Sequence, residues 1–308
     1  MSYYQQRNRN RLGIGQDGNA LTMLIAIILV AFVLLAFIKV IYYFTYGTQG
    51  LEIYQNQILS WVSLPAHLPT FFTRPWTLIT HFFVHDGVWH LIANLIWLWA
   101  FGHILQSLSG NSKIIPIFLY GAFAGAFMYM LSYNLIPALK EYLLVSTAIG
   151  ASAGIMAIAI ATTIMAPGYR IFPMLNGGIP LWVITMIFVI IDLATIPYNN
   201  PGGHIAHLAG AGMGALFAFQ WRRGNDWSLW INNFFEWVNN LFNPDKPKRA
   251  KVIKSQLFYK GNTPPYKKTS GITQQRIDDI LDKINQKGYD TLSQEEKDIL
   301  KRASKEDL

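Results

Sequence analysis

The stretch Ile149-Gly150-Ala151-Ser152-Ala153-Gly154-Ile155-Met156 is a run of small residues that opens an apolar block. It reads as a serine at the N-terminus of a buried helix, where the first backbone N–H groups have no intrahelical partner. Far downstream, His204-Ile205-Ala206-His207-Leu208-Ala209-Gly210 opens another apolar block and supplies a base. Ser152 and His207 are therefore the candidate nucleophile and its partner. The G-x-S-x-G string decides little alone, because small-residue clusters also serve simply to bring membrane helices together. Depth and spacing of the other polar residues carry the weight.

Of 308 residues, 52% are hydrophobic and 14% charged, with no cysteine. That balance excludes an ordinary soluble domain, and the lack of cysteine excludes disulfides, thiol catalysis and thiolate metal sites. The apolar residues come in blocks long enough to cross a bilayer, which takes about 17–25 residues. The net charge of +8 is spread over short loops and the two ends, a pattern suited to an anionic cytoplasmic membrane face rather than to nucleic acid.

Residues 1–20, with Arg7, Arg9 and Arg11, form a polar cytoplasmic end. Leu21 to Phe44 is too long for a signal-peptide core and reads as an uncleaved first span, with Lys39 snorkelling near its outer end. Residues 46–87 contain Pro65, Pro69 and Pro75, too many breaks for one spanning helix. They predict an interfacial loop with short helices, anchored by Trp61 and Trp76. Five more blocks follow: Val88–Leu108, Ile114–Tyr133, Ser152–Ala166, Ile179–Pro197 and His204–Trp221. Six spans put both ends on one side. Lys113, Arg170, Arg222 and Arg223, in the loops after the even-numbered spans, place that side in the cytoplasm. The membrane domain is thus 21–222.

Residues 223–242 predict an interfacial amphipathic helix on Trp227, Trp230, Phe234, Val238 and Leu241, and 243–271 a basic linker. In 272–308, Ile277, Ile280, Leu281 and Ile284 mark one amphipathic helix, and Ser293 with Glu296 forms the capping box of a second. This cytoplasmic hairpin holds no catalytic constellation and reads as an appendage that docks a partner or lipid.

Spans two, four and six run the same way, so depths compare directly. Ser152 stands as far before Pro167 as His207 does before Arg222, and Asn94 stands at a similar distance before Gly110. At about 1.5 Å per residue all three lie about 20 Å above the inner surface. The fourth span is too short to cross alone, so non-helical chain must dip into the membrane ahead of Ser152, which needs a surrounding of protein or water. Gly210 and Gly214 on span six, and Gly154, Ala157 and Ala161 on span four, form faces that allow close approach. His90 and Asn94, one turn apart, combine with the Ser152 N–H as a candidate oxyanion hole. Asp192 reaches the same level by its distance from Ile179, and so is a candidate to orient His207.

Together these residues resemble the rhomboid family of intramembrane serine proteases over about residues 70–220. The resemblance rests on Arg74-Pro75-Trp76, the H-x-x-x-N of His90 and Asn94, the G-x-S of Gly150 and Ser152, and the A-H-x-x-G of Ala206, His207 and Gly210. It implies an all-α, six-helix membrane fold and a Ser–His dyad, with no metal or cofactor. Ser152 would be the nucleophile, His207 the general base and later acid, and His90, Asn94 and the Ser152 amide the oxyanion hole. A dyad leaves Asp192 outside the catalytic pair. The implied substrates are single-span transmembrane proteins with unstable helices, in a bacterial inner membrane.

Three positions depart from the family: Thr77 follows Trp76 in place of arginine, Ala153 follows the nucleophile in place of glycine, and Met156 stands where tyrosine is common. The tail also resembles small helical tails of some bacterial rhomboids. Two rival readings stand: a catalytically inactive relative that binds membrane helices, and a metalloenzyme using His81, His85, His90, His204 and His207.

Overall fold

A computed structural model of the chain describes residues 19–172, 174, 177–241 and 274–304. The expected N-terminal segment and basic linker lie almost wholly outside them. The chain divides into two compact units, residues 1–244 and 245–308.

Among the described residues, the first unit is built on the helices α1 (Ala20–Tyr46), α2 (Val88–Ser109), α3 (Ile114–Leu135), α4 (Ser152–Met165), α5 (Leu181–Thr195) and α6 (Pro201–Arg222). Among the described residues, three helical stretches are long and apolar enough to cross a membrane, namely Ala20–Tyr46, Val88–Ser109 and Asn111–Leu135, while α4 and α5 are apolar but shorter. The outer surface is apolar: Val33 and Phe37 on α1 are 60% and 64% exposed, and Ile190, Trp99 and Phe127 are exposed on other helices. Such a surface belongs in lipid. The protein is an integral membrane protein.

Helix ends follow local chemistry. α6 starts at Pro201, three residues ahead of the expected His204, because the Asn200 side chain accepts from the Gly203 N–H and proline fits the first turn. The loop 46–87 carries short helices at Gln49–Tyr54, Leu68–Thr73 and Thr77–Thr80. Trp61 and Trp76 stack with ring centroids 5.9 Å apart, under the Arg74 guanidinium 4.3 Å from the Trp61 ring. Lys39 does not simply reach for the interface, since its ammonium pairs with Asp86 at 2.8 Å.

α4 is the buried centre, packed against α2, α3 and α6. Most of its residues from Ala153 to Thr162 are shielded. Glycines on both neighbours let the backbones meet. A methyl group at Gly210 or Gly214 of α6 would overlap the carbonyl oxygen of Ala153 or Ala157, and one at Gly121 of α3 would overlap the Ala157 side chain. Ala153 is accommodated because Gly125 faces it without a side chain.

A further helix, α7 (Ser228–Leu241), packs against the start of α3. Asn232 donates to the Ser112 carbonyl at 3.0 Å, Tyr120 donates to the Trp227 carbonyl at 3.0 Å, and buried Lys113 pairs with Asp226 and Ser228. Ile231 is its buried contact, whereas Trp230, Phe234 and Leu241 face outward.

In the second unit, α8 (Gln274–Lys287) and α9 (Gln294–Ala303) form a pair. The capping box is present: the Ser293 N–H donates to Glu296 at 2.8 Å and the Glu296 N–H to Ser293 Oγ at 3.3 Å. The Lys283 ammonium, followed by the Ser293 N–H, lowers the Glu296 carboxyl to about 2.

Gly210→Ala should destabilise the protein by about 1–3 kcal/mol through overpacking, whereas Gly212→Ala, with nothing nearby, should be close to neutral. Unfolding in mixed detergent micelles compares the two. Equal stability of both variants would show that the α4–α6 contact yields without cost.

Candidate active site

The chain enters α4 through non-helical backbone, and every local polar group there needs a partner. Leu64–Pro65 pairs antiparallel with Thr147–Ala148, and the Ala66 N–H donates to the Ser146 carbonyl at 3.0 Å. Asn134 of α3 fastens that strand by donating to the Ala66 carbonyl at 2.9 Å. The Gly150 N–H donates to the His81 carbonyl at 2.8 Å, while His81 Nδ1 is bonded to the Thr77 carbonyl at 2.6 Å. That contact uses the backbone carbonyl of Thr77, one of the departures, whose hydroxyl donates to the Arg74 carbonyl at 2.6 Å. Gly150 sits at φ +112°, a conformation that side chains disfavour.

Ser152 is the first residue of α4, and its hydroxyl lies 2.6 Å from His207 Nε2 on α6. The two line a cavity of about 300 Å³ with His90, Gly150, Ala153, Tyr129 and Asn200 among its walls. His90 reaches the cavity beside the serine: a β-carbon at Gly150 would lie 3.0 Å from the His90 ring and 3.8 Å from Ser152 Oγ. Asn94 is placed differently. It is buried one turn deeper, donates to the His90 carbonyl at 2.9 Å, and is not on the cavity wall.

Two side chains enter the site that the serine and histidine motifs do not announce. Asp192 Oδ1 on α5 lies 3.0 Å from His207 Nδ1 and 2.7 Å from His204 Nδ1. Asp192 was legible by depth, yet a dyad placed it outside the pair. His204 was legible only as one of several histidines. Its signal is the three-residue spacing from His207, which puts both rings on one side of α6.

Among the described residues the five histidines do not form one cluster of metal-binding reach. His81 and His85 are bonded to the Thr77 and Phe83 carbonyls, and the His85 ring lies tilted against that of His90 with centroids 4.9 Å apart. Among the described residues, the group whose donor atoms come within metal-binding reach is Asp192, His204 and His207, all within 4.8 Å.

Residues 72–223 match the rhomboid domain, and the chain belongs to the rhomboid family. Residues 266–306 match a family of unknown function (DUF6576). The chain is 28% identical over 149 residues to Rhomboid protein 1, mitochondrial, of Saccharomyces cerevisiae, covering 44% of this chain and 39% of that one. It is 25% identical over 173 residues to Rhomboid protease GlpG of Serratia proteamaculans, covering 53% and 54%. RHOMBOID-like protein 12, mitochondrial, of Arabidopsis thaliana is 24% identical over 157 residues, covering 48% and 47%. The chain spans about half the length, or less, of these curated relatives.

Gly150→Ala should slow modification of Ser152 by a fluorophosphonate about tenfold or more. The alanine adopts that φ only under strain of about 1–3 kcal/mol and crowds His90. An unaltered labelling rate would mean that the turn before Ser152 does not set the site.

Proposed function

We propose that this protein is an intramembrane serine endopeptidase with Ser152 as nucleophile and His207 as general base. One observation carries the reading: a 2.6 Å contact between Ser152 Oγ and His207 Nε2, across two helices, at a cavity that the N-terminus of α4 faces. Nε2 takes the hydroxyl proton as Oγ attacks the scissile carbonyl. The oxyanion forms beside the Ser152 N–H and the His90 ring, with Asn94 holding the carbonyl of His90 from one turn below. His207 then protonates the leaving amine, and water from the cavity hydrolyses the acyl-enzyme.

In this reading α1 to α6 are six spans with both ends cytoplasmic, in a bacterial inner membrane. The domain limits are those expected from the sequence: 1–20, 21–222, 223–242, 243–271 and 272–308. Substrates are single-span membrane proteins whose helix unwinds near the outer face, because a peptide bond inside a helix cannot enter the site. A similar protein is named Rhomboid protease GlpG, which supports the reading. The α8–α9 tail binds a cytoplasmic partner or lipid.

Purified protein with a single-span substrate carrying a helix-destabilised segment tests the reaction. Ser152→Ala and His207→Ala should each cut turnover at least about 10⁴-fold, and His90→Ala about 10- to 10³-fold. The fluorophosphonate should label the wild type and not Ser152→Ala. Near-normal turnover in either dyad variant sinks the protease reading. A wild type that neither cleaves nor labels is the inactive relative, and cleavage abolished by a chelator points to a metal.

The tail is separable. Protein lacking residues 272–308 should cleave at an unchanged rate in detergent. Complete loss of activity in a folded truncated protein contradicts that.

A further inference from the structure

The dyad leaves the carboxylate of Asp192 unused, although it touches the base. Asp192 lies in the last turn of α5 and is 5% exposed. Its Oδ1 is shared by two imidazoles, at 3.0 Å from His207 Nδ1 and 2.7 Å from His204 Nδ1, and Thr195 Oγ1 lies 3.3 Å from the latter nitrogen. Oδ2 is buried without a partner among the described residues. The described hydrogen bonds of this carboxylate therefore run to the two histidines.

We propose that Asp192 is a positioning residue for His207, and that His204 tunes it by competing for the same oxygen. An ionised carboxylate only accepts hydrogen bonds, so the Nδ1 facing it carries the proton. A neutral imidazole has one N–H, which leaves His207 Nε2 as a lone pair aimed at Ser152 Oγ. When Oγ bonds to the scissile carbon, its proton moves to Nε2 and His207 becomes an imidazolium. Asp192 meets that charge, stays ionised and accepts no proton itself. In a low-dielectric site a charge met at this distance counts for far more than in water. His204 donates to Oδ1 as well, which makes a buried carboxylate tolerable and divides its hold on His207. The proposal rests on the dyad reading and gives the orientation of His207 a cause.

The test compares wild type, Asp192→Asn, Asp192→Glu and His204→Gln on the single-span substrate and on fluorophosphonate labelling. Asp192→Asn should lower kcat by about 10²- to 10⁴-fold, the upper value being that of a lost triad carboxylate, with KM within about twofold. Labelling of Ser152 should slow in parallel, and Asp192→Glu should recover part of both. His204→Gln should change kcat by less than Asp192→Asn does. In ¹⁵N-histidine-labelled Ser152→Ala protein, a low-field ring N–H resonance assigned to His207 by its loss in His207→Ala should vanish when Asp192→Asn is added.

Wild-type kcat in folded Asp192→Asn overturns the proposal, as does a loss confined to KM or one that Asp192→Glu leaves unrelieved. If Asp192→Asn does not fold, the resonance decides, and its absence from the Ser152→Ala protein overturns the proposal. A stoichiometric zinc ion that copurifies and is lost in Asp192→Asn assigns the three groups to a metal and also overturns it. An inactive Ser152→Ala beside a normal Asp192→Asn removes only the role of Asp192. An active Ser152→Ala removes the dyad and this inference together.

Discussion

Non-helical backbone buried among apolar helices is the constraint on which the rest of this structure depends. Residues 144–151 must bring Ser152 to a helix start without leaving peptide groups unpaired, because each unpaired group in an apolar surround costs several kcal/mol. The loop 46–87 exists to meet that demand. It lends Leu64–Pro65 as a strand, the Ala66 N–H as a donor and the His81 carbonyl as an acceptor, it is pinned from outside by Asn134, and the His81 ring is held within it by the Thr77 carbonyl. The aromatic and proline content of the loop follows from this duty, since it must be shaped without being helical and yet sit against lipid.

A second constraint acts on α4 from its sides. Ser152 and His207 are on different helices, so their 2.6 Å contact needs α4 and α6 to approach at backbone distance. Glycine at 210 and 214 supplies that approach, and glycine at 121 and 125 allows α3 to close the other side. Lipid tails provide no hydrophobic drive between helices, so close packing of small residues is the main attraction available. The same residues therefore hold the fold together and set the geometry of the site. Alanine after the serine fits this scheme, because Gly125 leaves room for it.

Polar pairs mark the places where the elements are fastened. Lys39 and Asp86 tie α1 to the entrance of α2, and Lys113 with Asp226 and Ser228 ties α3 to α7. In the interior the pairing is neutral or shared instead: Asn94 bonds its own helix, and Asp192 has two imidazoles on one oxygen. Charges near the rim pair with charges, whereas a deep carboxylate has hydrogen-bond donors around it, as its desolvation requires.

The sequence by itself determined the longer helices and their order, because apolar block length and the breaks between blocks translate directly into helix extent. Ser152 and His207 were picked out by their matched distances from the span ends, His90 by its one-turn spacing from Asn94, and Gly210 by small-residue chemistry. Azimuth was not legible. Depth placed Asp192 level with His207, but which side of α5 faces α6 depends on how the helices rotate and tilt against one another, and no periodicity encodes that. Asn94 shows the same limit: counting residues put it level with Ser152, yet its side chain donates to the His90 carbonyl of its own helix instead of lining the cavity. Likewise the partners of the chain ahead of Ser152 come from residues about eighty positions away, and only the packed structure brings them together.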